Sequence, residues 1–313
     1  MRHYDKETGL FFDIRDGKAF IADADKTLTE VVIPSEFMGH GVYGIDRKAF
    51  LGCRLLRNAV LPDSIKSVGE WAFASCTSLV SFSFGASYAV KHDPELKEPE
   101  EADPDTQKAG CTFLKGVFKN DNRLESILIA GRSHDSSRLL AKAVTVMDAE
   151  YLLETEAVGS AEWFYKWDQK LLNILNLKDD EGYHLYVLCG EEDLHFDYDE
   201  YLEFNRRKKS GLSMLRLLYR ERLDPGLEDI LKTYVKDHSV GRESEAAWSF
   251  VLSEHGDDID YYRLLLELNG IDRGNLDKAL SDLSDRHAEA KAYLINYFNG
   301  NDQTEDYFDS LLL

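Results

Sequence analysis

A spacing of 23 residues recurs near the amino terminus and constrains the fold more than any other feature of the sequence. The residues that recur in the same order are Ala49-Phe50, Cys53 and Leu56, then Ala72-Phe73, Cys76 and Leu79. A fixed period of this length is typical of proteins in which one unit cannot bury its own apolar face and must stack on its neighbours. The sequence therefore predicts a stacked array of short units.

Short alternating runs of apolar residues accompany this repeat, and they begin at Leu28, Leu56, Leu79 and Leu124. Alternation places every second side chain on one face, so each run predicts a short strand. Pro34 and Pro62 close the first two runs, because proline has no N–H to donate to a strand ladder. Between the runs, an apolar residue lies five positions before each Phe, and this spacing predicts a helical or 3₁₀ turn whose Phe fills the core.

The repeat resembles the BspA-type leucine-rich repeats. The residues that carry the match are Val32-Ile33-Pro34, Ile45, Ala49-Phe50, Cys53, Leu56, Val60-Leu61-Pro62, Val68-Gly69, Ala72-Phe73, Cys76 and Leu79. A less regular copy around Phe118 has Asp121 in place of the cysteine, and the resemblance covers about residues 10–130. It implies a curved, right-handed solenoid of bacterial type that recognises proteins or surfaces.

The length of 313 residues predicts two domains and an α+β fold. Residues 1–130 form the predicted leucine-rich-repeat domain. Residues 86–110 interrupt it with prolines and carboxylates, a composition that predicts a solvated, mobile acidic insertion. From residue 131 to residue 313 the pattern changes to short amphipathic segments, which predict an all-α domain built from helix pairs.

The net charge of −21, from 37 basic and 58 acidic residues, disfavours two classes of partner. Such a field repels nucleic-acid phosphates and anionic membranes. The sequence also contains no apolar run long enough to span a bilayer. Taken as the native start, the charged residues after Met1 predict a cytoplasmic protein, whereas a removed export signal would place the protein at the cell surface.

The four cysteines, Cys53, Cys76, Cys111 and Cys189, are too few and too scattered for a disulfide framework. Cys53 and Cys76 hold equivalent places in adjacent units. We interpret them as free thiols in the core, since a reducing compartment keeps buried thiols reduced.

An enzyme alternative rests on Asp23-Ala24-Asp25-Lys26-Thr27, which resembles the nucleophile motif of haloacid-dehalogenase-type phosphatases. In that family the first Asp attacks phosphorus beside Mg²⁺. Asp257 and Asp258 resemble the late acidic motif of the same family. A repeat strand begins soon after Thr27 and leaves no room for a crossover helix, so a hairpin turn explains the first motif without catalysis.

A second chemical alternative is a cluster between residues 184 and 199, whose members are His184, Cys189, Glu191, Glu192, Asp193, His195, Asp197 and Asp199. Imidazole, thiolate and carboxylate are zinc ligands, and an acidic run suits Ca²⁺. The cluster nevertheless lacks the spacing of known metal motifs, so we interpret it as an acidic linker. The sequence predicts no catalytic residue, metal or cofactor.

The helical half of the sequence also contains one basic run and one aromatic run. Arg206-Arg207-Lys208-Lys209 is a basic run that we interpret as a solvated helix end, with an acidic partner or a phosphate as the alternative. In the aromatic run, helical spacing puts Phe164 and Trp167 on a core stripe, whereas Trp163 and Tyr165 fall elsewhere and are expected at an interface.

The leading hypothesis is a non-catalytic protein–protein interaction scaffold with an unknown protein partner and an unknown oligomeric state. Its predicted binding face consists of the outward side chains of the strands, Glu30, Val32, Asn58, Val60, Ser81, Ser83, Ser126 and Leu128. The alternatives are a metal-dependent hydrolase that uses Asp23 and Asp25 or the 184–199 cluster, and an adhesin-like recognition protein of the cell surface.

Overall fold

The computed structural model describes residues 2–85, 110–183, 198–283 and 287–309, and for 301–309 it describes the backbone alone. Apart from Gly110, the predicted acidic insertion lies outside these residues. The chain divides into two compact units, Met1–Lys170 and Leu171–Leu313. Strands predominate in the first unit and helices in the second, so the fold is an α+β mix.

The larger sheet begins as an antiparallel meander and continues as a parallel ladder. The meander consists of β1 (Arg2–Asp5), β2 (Leu10–Arg15) and β3 (Lys18–Ala24). Parallel to β3 follow β6 (His40–Ile45), β8 (Ser67–Val68) and β10 (Thr112–Phe113), while β5 (Glu36–Phe37) pairs antiparallel with β6. The hairpin between β2 and β3 turns at Asp16 and Gly17, whose φ angles of 50° and 73° suit a type I′ turn.

The smaller sheet is a parallel ladder of four strands, β4 (Glu30–Val32), β7 (Asn58–Leu61), β9 (Ser81–Phe84) and β11 (Ser126–Ile129). Residues of neighbouring strands pair without a shift along the whole ladder. Val31 lies opposite Ala59, Ala59 opposite Phe82, and Phe82 opposite Ile127, all four of them buried. The strands predicted from the alternating runs are therefore confirmed.

The segments that precede the last three of these strands are turns closed by i→i+3 hydrogen bonds, the bonding of a 3₁₀ turn, and they do not continue as helices. Lys48, Trp71 and Gly116 take equivalent positions in successive turns and have φ angles of 64°, 55° and 70°. Four residues further on, a second left-handed column consists of Gly52, Ser75 and Asn120. A right-handed helix needs negative φ throughout, so two left-handed positions in each turn prevent one from forming.

Backbone hydrogen bonds join successive turns as they join successive strands. The N–H of Phe50 donates to the carbonyl of Ala72 (2.7 Å), and the N–H of Phe73 donates to the carbonyl of Val117 (3.0 Å). These bonds satisfy backbone groups that would otherwise be buried without partners. Neighbouring units are thus tied together through strands and turns alike.

Phenylalanines from successive turns fill the interior of the first unit. The ring centroids of Phe73 and Phe118 are 6.1 Å apart, and the ring of Phe82 meets both edge-on at 5.2 and 4.9 Å. All three side chains are buried. Each buried aromatic ring removes roughly 150–250 Å² from water, so this column contributes much of the apolar stabilisation of the unit.

Helix α1 (His134–Thr145) follows β11 and packs against it. The Ser133 hydroxyl caps this helix by accepting a hydrogen bond from the N–H of Ser136 (3.2 Å). Its buried face includes Leu139 and Leu140. A 3₁₀ turn (Glu150–Leu152) and helix α2 (Ala161–Asn176) come next in the chain.

The described part of the second unit contains six further helices, α3 (Tyr198–Leu218), α4 (Pro225–Asp237), α5 (Ala246–Glu254), α6 (Ile259–Glu267), α7 (Leu276–Asp282) and α8 (Ala288–Asp309). Helices α4, α5 and α6 all pack against α3. Trp248 of α5 and Tyr262 of α6 are buried and meet edge-on at 6.1 Å. Among the residues that the structure describes, no helix has both the length and the apolar character needed to cross a membrane.

Candidate interaction surface

The predicted binding face is the outward side of the ladder formed by β4, β7, β9 and β11. The strand register aligns its residues in two rows, Glu30, Asn58, Ser81 and Ser126 in one and Val32, Val60, Ser83 and Leu128 in the other. Asn58 Nδ2 donates to Glu30 Oε1 (2.9 Å), and Ser81 Oγ donates to Asn58 Oδ1 (2.9 Å). The structure thus brings all eight residues onto one side of the ladder, and a chain of hydrogen bonds crosses three of the strands.

The expected exposure is wrong for two of these residues. Val60 is only 2% exposed and Ser83 only 5%, whereas Leu128 is 40% exposed. Val60 and Ser83 lie on the two central strands, where Asn58 and Ser81 of the other row are partly exposed. Leu128 and the partly exposed Val32 lie on the two edge strands.

The chemistry of this face suits contact better than catalysis. Glu30 supplies its single carboxylate, and the rest are an amide, hydroxyls and aliphatic groups. The Ser81 hydroxyl donates to an amide oxygen, whereas an activated serine needs a base within hydrogen-bonding reach. The eight residues can therefore offer hydrogen bonds and apolar area to a partner, but they contain no nucleophile paired with a base.

The other sheet carries a surface that sequence reasoning missed, in which cations lie over aromatic rings. The Arg15 guanidinium is 4.0 Å from the ring centroid of Phe20, and Lys18 Nζ is 3.7 Å from that of Tyr43. The two rings meet edge-on with centroids 5.8 Å apart. The sequence signal was the alternation within β3, which puts Lys18 and Phe20 on the same side of the strand.

Of the residues of the phosphatase alternative, Asp23 lies near the end of β3, and Asp25 lies in the segment that follows it. Asp25 Oδ1 accepts hydrogen bonds from the N–H (2.9 Å) and the hydroxyl (2.8 Å) of Thr27, and these bonds lower the pKa of the Asp25 carboxyl. Asp23 pairs with Lys26 (3.4 Å) and Arg2 (3.8 Å). Strand β4 already begins at Glu30, so no crossover helix follows β3. The geometry is that of a local turn closed by its own residues.

The other acidic candidates belong to the second unit. Asp258 caps α6 by accepting a hydrogen bond from the N–H of Asp260 (3.1 Å), and the exposed Asp257 has its Oδ1 3.1 Å from Nδ1 of His287. Of the predicted 184–199 cluster, Asp199 alone falls within the described residues. Across those described ranges, no group of three or more His, Cys, Asp or Glu side chains is placed to hold a metal ion.

The basic run is internal to α3, so its interpretation as a solvated helix end is wrong. Arg206 Nε donates to Asp179 Oδ2 (2.9 Å), and Lys209 Nζ donates to Asp179 Oδ1 (2.8 Å) and to the carbonyl of Leu177 (2.5 Å). Arg207 donates to the hydroxyl of Ser253 (2.5 Å). These contacts fasten the helix to residues distant in sequence, so this run is largely committed to the fold.

The aromatic run divides differently from the prediction. Trp163 is buried, and its Nε1–H donates to the carbonyl of Leu152 (2.9 Å), so its expected place at an interface is wrong. Trp167 is buried as expected, and its Nε1–H donates to the carbonyl of Leu139 (3.0 Å). Tyr165 is exposed, which agrees with its predicted position off the core stripe.

Known proteins with similar sequences and structures are leucine-rich repeat proteins. Residues 20–94 match the family described as "BspA type Leucine rich repeat region (6 copies)". A leucine rich cell surface protein from Faecalibacterium prausnitzii A2-165 is 23% identical, with 27% of this chain and 23% of that chain covered and a TM-score of 0.25. The T. pallidum Leucine Rich Repeat protein is 18% identical, with 40% of this chain and 71% of that chain covered and a TM-score of 0.25.

The match is partial on both sides, because the chain spans only 23% of the F. prausnitzii protein. No curated protein matches the chain. The matched segment contains the units around Phe50 and Phe73, whose stacked turns and parallel strands are described above. Residues 20–94 therefore match the BspA-type leucine-rich repeats that the sequence resembles, over a shorter range than the predicted residues 10–130.

Proposed function

We propose that this chain is a non-catalytic protein–protein interaction scaffold whose first part is a short leucine-rich-repeat solenoid. The observation that carries the proposal is the unbroken register of β4, β7, β9 and β11, which aligns side chains from four strands on one face. Repeat proteins offer extended surfaces of this kind to other proteins. We further propose that the repeat array ends near residue 130, between β11 and α1.

The charge of the repeat region supports a protein as the partner. The chain as a whole has a net charge of −21, but residues 1–85 contain 10 basic and 11 acidic residues and are close to neutral. A nucleic-acid surface would need a basic stripe along one face, and the ladder face carries a carboxylate instead. A protein surface with hydrogen-bonding groups and a few apolar contacts is the better complement.

Within the face, we expect the partner to contact its accessible members. These are the row of Glu30, Asn58, Ser81 and Ser126, together with Val32 and Leu128 on the two edge strands. Val60 and Ser83 are expected to support the face from below, because their side chains are buried. An exposed leucine beside polar groups is a suitable anchor, since desolvated apolar side chains contribute much of the binding energy at interfaces.

The test compares two exposed leucines of the same unit. Leu128 is 40% exposed on the ladder face, and Leu55 is 53% exposed in a turn. Each is replaced by Asp, and each variant is used to capture proteins from an extract of the source organism, with crosslinking and mass spectrometry to map the contact. We expect Leu128→Asp to weaken capture of a face-crosslinked partner at least tenfold and Leu55→Asp to leave it unchanged. A partner that crosslinks elsewhere and survives Leu128→Asp would contradict the proposed face.

The non-catalytic part of the proposal has a separate test. The wild-type chain and Asp23→Asn are assayed with a generic phosphate monoester and Mg²⁺. We expect no turnover above background in either protein, because Asp23, near the end of β3, is paired with Lys26 and Arg2. Turnover by the wild type that Asp23→Asn abolishes would establish the hydrolase instead.

A further inference from the structure

One column of the stacked turns carries thiols on neighbouring units. Cys53 and Cys76 hold equivalent positions, and Asp121 holds the same position in the next turn. The hydrogen bonds from Phe50 N–H to Ala72 O and from Gly52 N–H to Ala74 O (2.9 Å) fix this register immediately before the cysteines. The two cysteines are therefore nearest neighbours across a pair of hydrogen-bonded segments.

The geometry of this pair allows a covalent bond between the sulfurs. Neighbouring hydrogen-bonded segments lie ~4.8 Å apart, and a disulfide spans Cα separations of ~4.4–6.8 Å. Both thiols are free and fully buried. The Cys76 thiol donates a hydrogen bond to the carbonyl of Phe50 (3.3 Å).

The surroundings make the two thiols unequal. The neighbouring Cys76 thiol lowers the pKa of Cys53, and the Lys26 ammonium, whose Nζ is 3.8 Å from Cys53 Sγ, acts in the same direction, although burial acts in the opposite one. The neighbouring Cys53 sulfur, burial and the nearby Asp121 raise the pKa of Cys76. Cys53 is therefore the better source of thiolate, and Cys76 holds its proton.

A partly exposed cationic side chain contacts Cys53. The Lys26 side chain is 51% exposed and reaches Cys53 Sγ from the turn after β3. A side chain that is half exposed thus also contacts the buried sulfur. Cys111, the other described cysteine, is buried as well, but its pKa is raised to about 12 by burial.

We propose that Cys53 and Cys76 form a hydroperoxide-reactive dithiol, in which Cys53 is oxidised first and Cys76 resolves it as a disulfide between adjacent units. Cys53 thiolate attacks one peroxide oxygen, the O–O bond breaks, and the leaving hydroxide takes a proton to become water. Cys76 Sγ then attacks Cys53 Sγ of the sulfenic acid, the S–O bond breaks, and the second hydroxide leaves as water with the Cys76 proton. Two thiols are oxidised by two electrons, and one peroxide is reduced to two waters.

The consequence is a reversible crosslink within the repeat array. The bond closes a segment that runs from Cys53 to Cys76 and ties together two units that otherwise share only non-covalent contacts. A disulfide that fits the native geometry stabilises the folded state mainly by restricting the unfolded chain. The following turn has Asp121 at this position where the first two have cysteine, so a disulfide can join the first two units but not the third.

The experiment treats the reduced full-length protein with hydrogen peroxide and maps its peptides by mass spectrometry without reduction. We expect a Cys53–Cys76 crosslink that has lost two hydrogen atoms, that dithiothreitol reverses, and that forms at least tenfold faster than Cys111 oxidises. A crosslink to Cys189 instead, or oxidation of the pair no faster than of Cys111, would overturn the proposal.

Three variants separate the roles of the residues. Cys76→Ser is expected to accumulate a sulfenic acid on Cys53 that dimedone traps, whereas Cys53→Ser leaves Cys76 unlabelled. Lys26→Met is expected to slow labelling of Cys53 roughly threefold to tenfold, and Lys26→Arg to retain it, because a nearby cation stabilises the thiolate. Dimedone labelling of Cys76 in Cys53→Ser at the rate of Cys53 would refute the assigned order, and an unchanged rate in Lys26→Met would refute the role of Lys26.

Discussion

Phe50 lies over Phe73 as a stacked pair, with ring centroids 4.6 Å apart and planes 9° from parallel. The two residues occupy equivalent positions in neighbouring turns, and Phe118 continues the column in the next turn. Neighbouring units therefore pack on each other through the same contact between phenylalanine rings. Removing the ring in the middle of the column should therefore weaken the packing of the units on both sides of it.

Phe73→Ala tests the central ring of the column. The ring contacts Phe50, Phe82 and Phe118, and its removal leaves a cavity that these rigid neighbours cannot fill. We expect a loss of about 3–5 kcal/mol in the free energy of unfolding, measured by urea titration. Leu55→Ala, in an exposed turn position, should change it by under about 0.5 kcal/mol. Equal effects of the two variants would contradict the packed column.

Asp121 predicts a pH dependence of stability. Burial raises the pKa of its carboxyl to about 8, although the bond that Oδ1 accepts from the N–H of Cys76 (2.8 Å) acts in the opposite direction. An unfolded Asp loses its proton near pH ~4, so between about pH 4 and pH 8 the native state holds the extra proton. This residue therefore makes the protein less stable as the pH rises through that window, with no further change above it.

Asp121→Asn isolates the contribution of that carboxyl. The amide keeps an oxygen for the Cys76 N–H but does not ionise. We expect the free energy of unfolding of the wild type, relative to Asp121→Asn, to fall by on the order of 1 kcal/mol per pH unit between about pH 5 and about pH 8. Urea titrations at both ends of that range measure it. Parallel pH profiles for the two proteins would show that the carboxyl is not buried in this way.

Gly69→Ala tests the close approach of two turns. A Cβ at Gly69 would overlap the backbone nitrogen and Cα of Arg47 in the preceding unit, and backbone atoms cannot move aside. We expect destabilisation by about 1–3 kcal/mol in thermal or urea unfolding. Gly41 is the matched control, because no atom lies within 4 Å of a Cβ placed there. Gly41→Ala should be neutral or slightly stabilising, and a similar loss in both variants would contradict the proposed steric cause.

Asp179→Ala tests the ion pairs of α3 in the second unit. Its carboxylate accepts hydrogen bonds from Arg206 and from Lys209, and Lys209 is buried. We expect a loss of about 3 kcal/mol, since removing one partner leaves a buried charge without compensation. Asp260→Ala breaks an exposed pair with Arg263 (2.6 Å) and should cost under about 1 kcal/mol. Unfolding of the second unit is followed by tryptophan fluorescence and circular dichroism.

The apolar columns of the repeat could be predicted because each position returns with the same residue type. Phe50, Phe73 and Phe118 all lie in the core, and the alternating runs all form strands. The turn conformation could not be predicted in the same way. Its left-handed positions are occupied by glycine in one unit and by Lys48 or Trp71 in others, so no single unit displays the glycine pattern that would have indicated them.

The exposure of the candidate face could likewise be predicted only in part from the sequence. Strand alternation placed its eight residues on one side of the ladder, but it carries no information about how deeply each side chain is covered. Val60 and Ser83 are buried, whereas Asn58 and Ser81 on the same two strands are partly exposed. The role of the Arg206 to Lys209 run also escaped prediction, because its partner Asp179 lies 27 residues before Arg206 and no local pattern connects them.

The hydrogen bonds between successive turns have an evolutionary consequence. The N–H of Phe50 donates to the carbonyl of Ala72 in the next unit, and the N–H of Phe73 donates in the same way to the carbonyl of Val117. The middle unit therefore bonds to the unit after it through the same kind of backbone group that bonds the unit before it to the middle one. If a gene segment that encodes one repeat were duplicated in frame, the additional unit could form the same hydrogen bonds with the units before and after it. Such a duplication is therefore expected to lengthen the array without remodelling either of its ends.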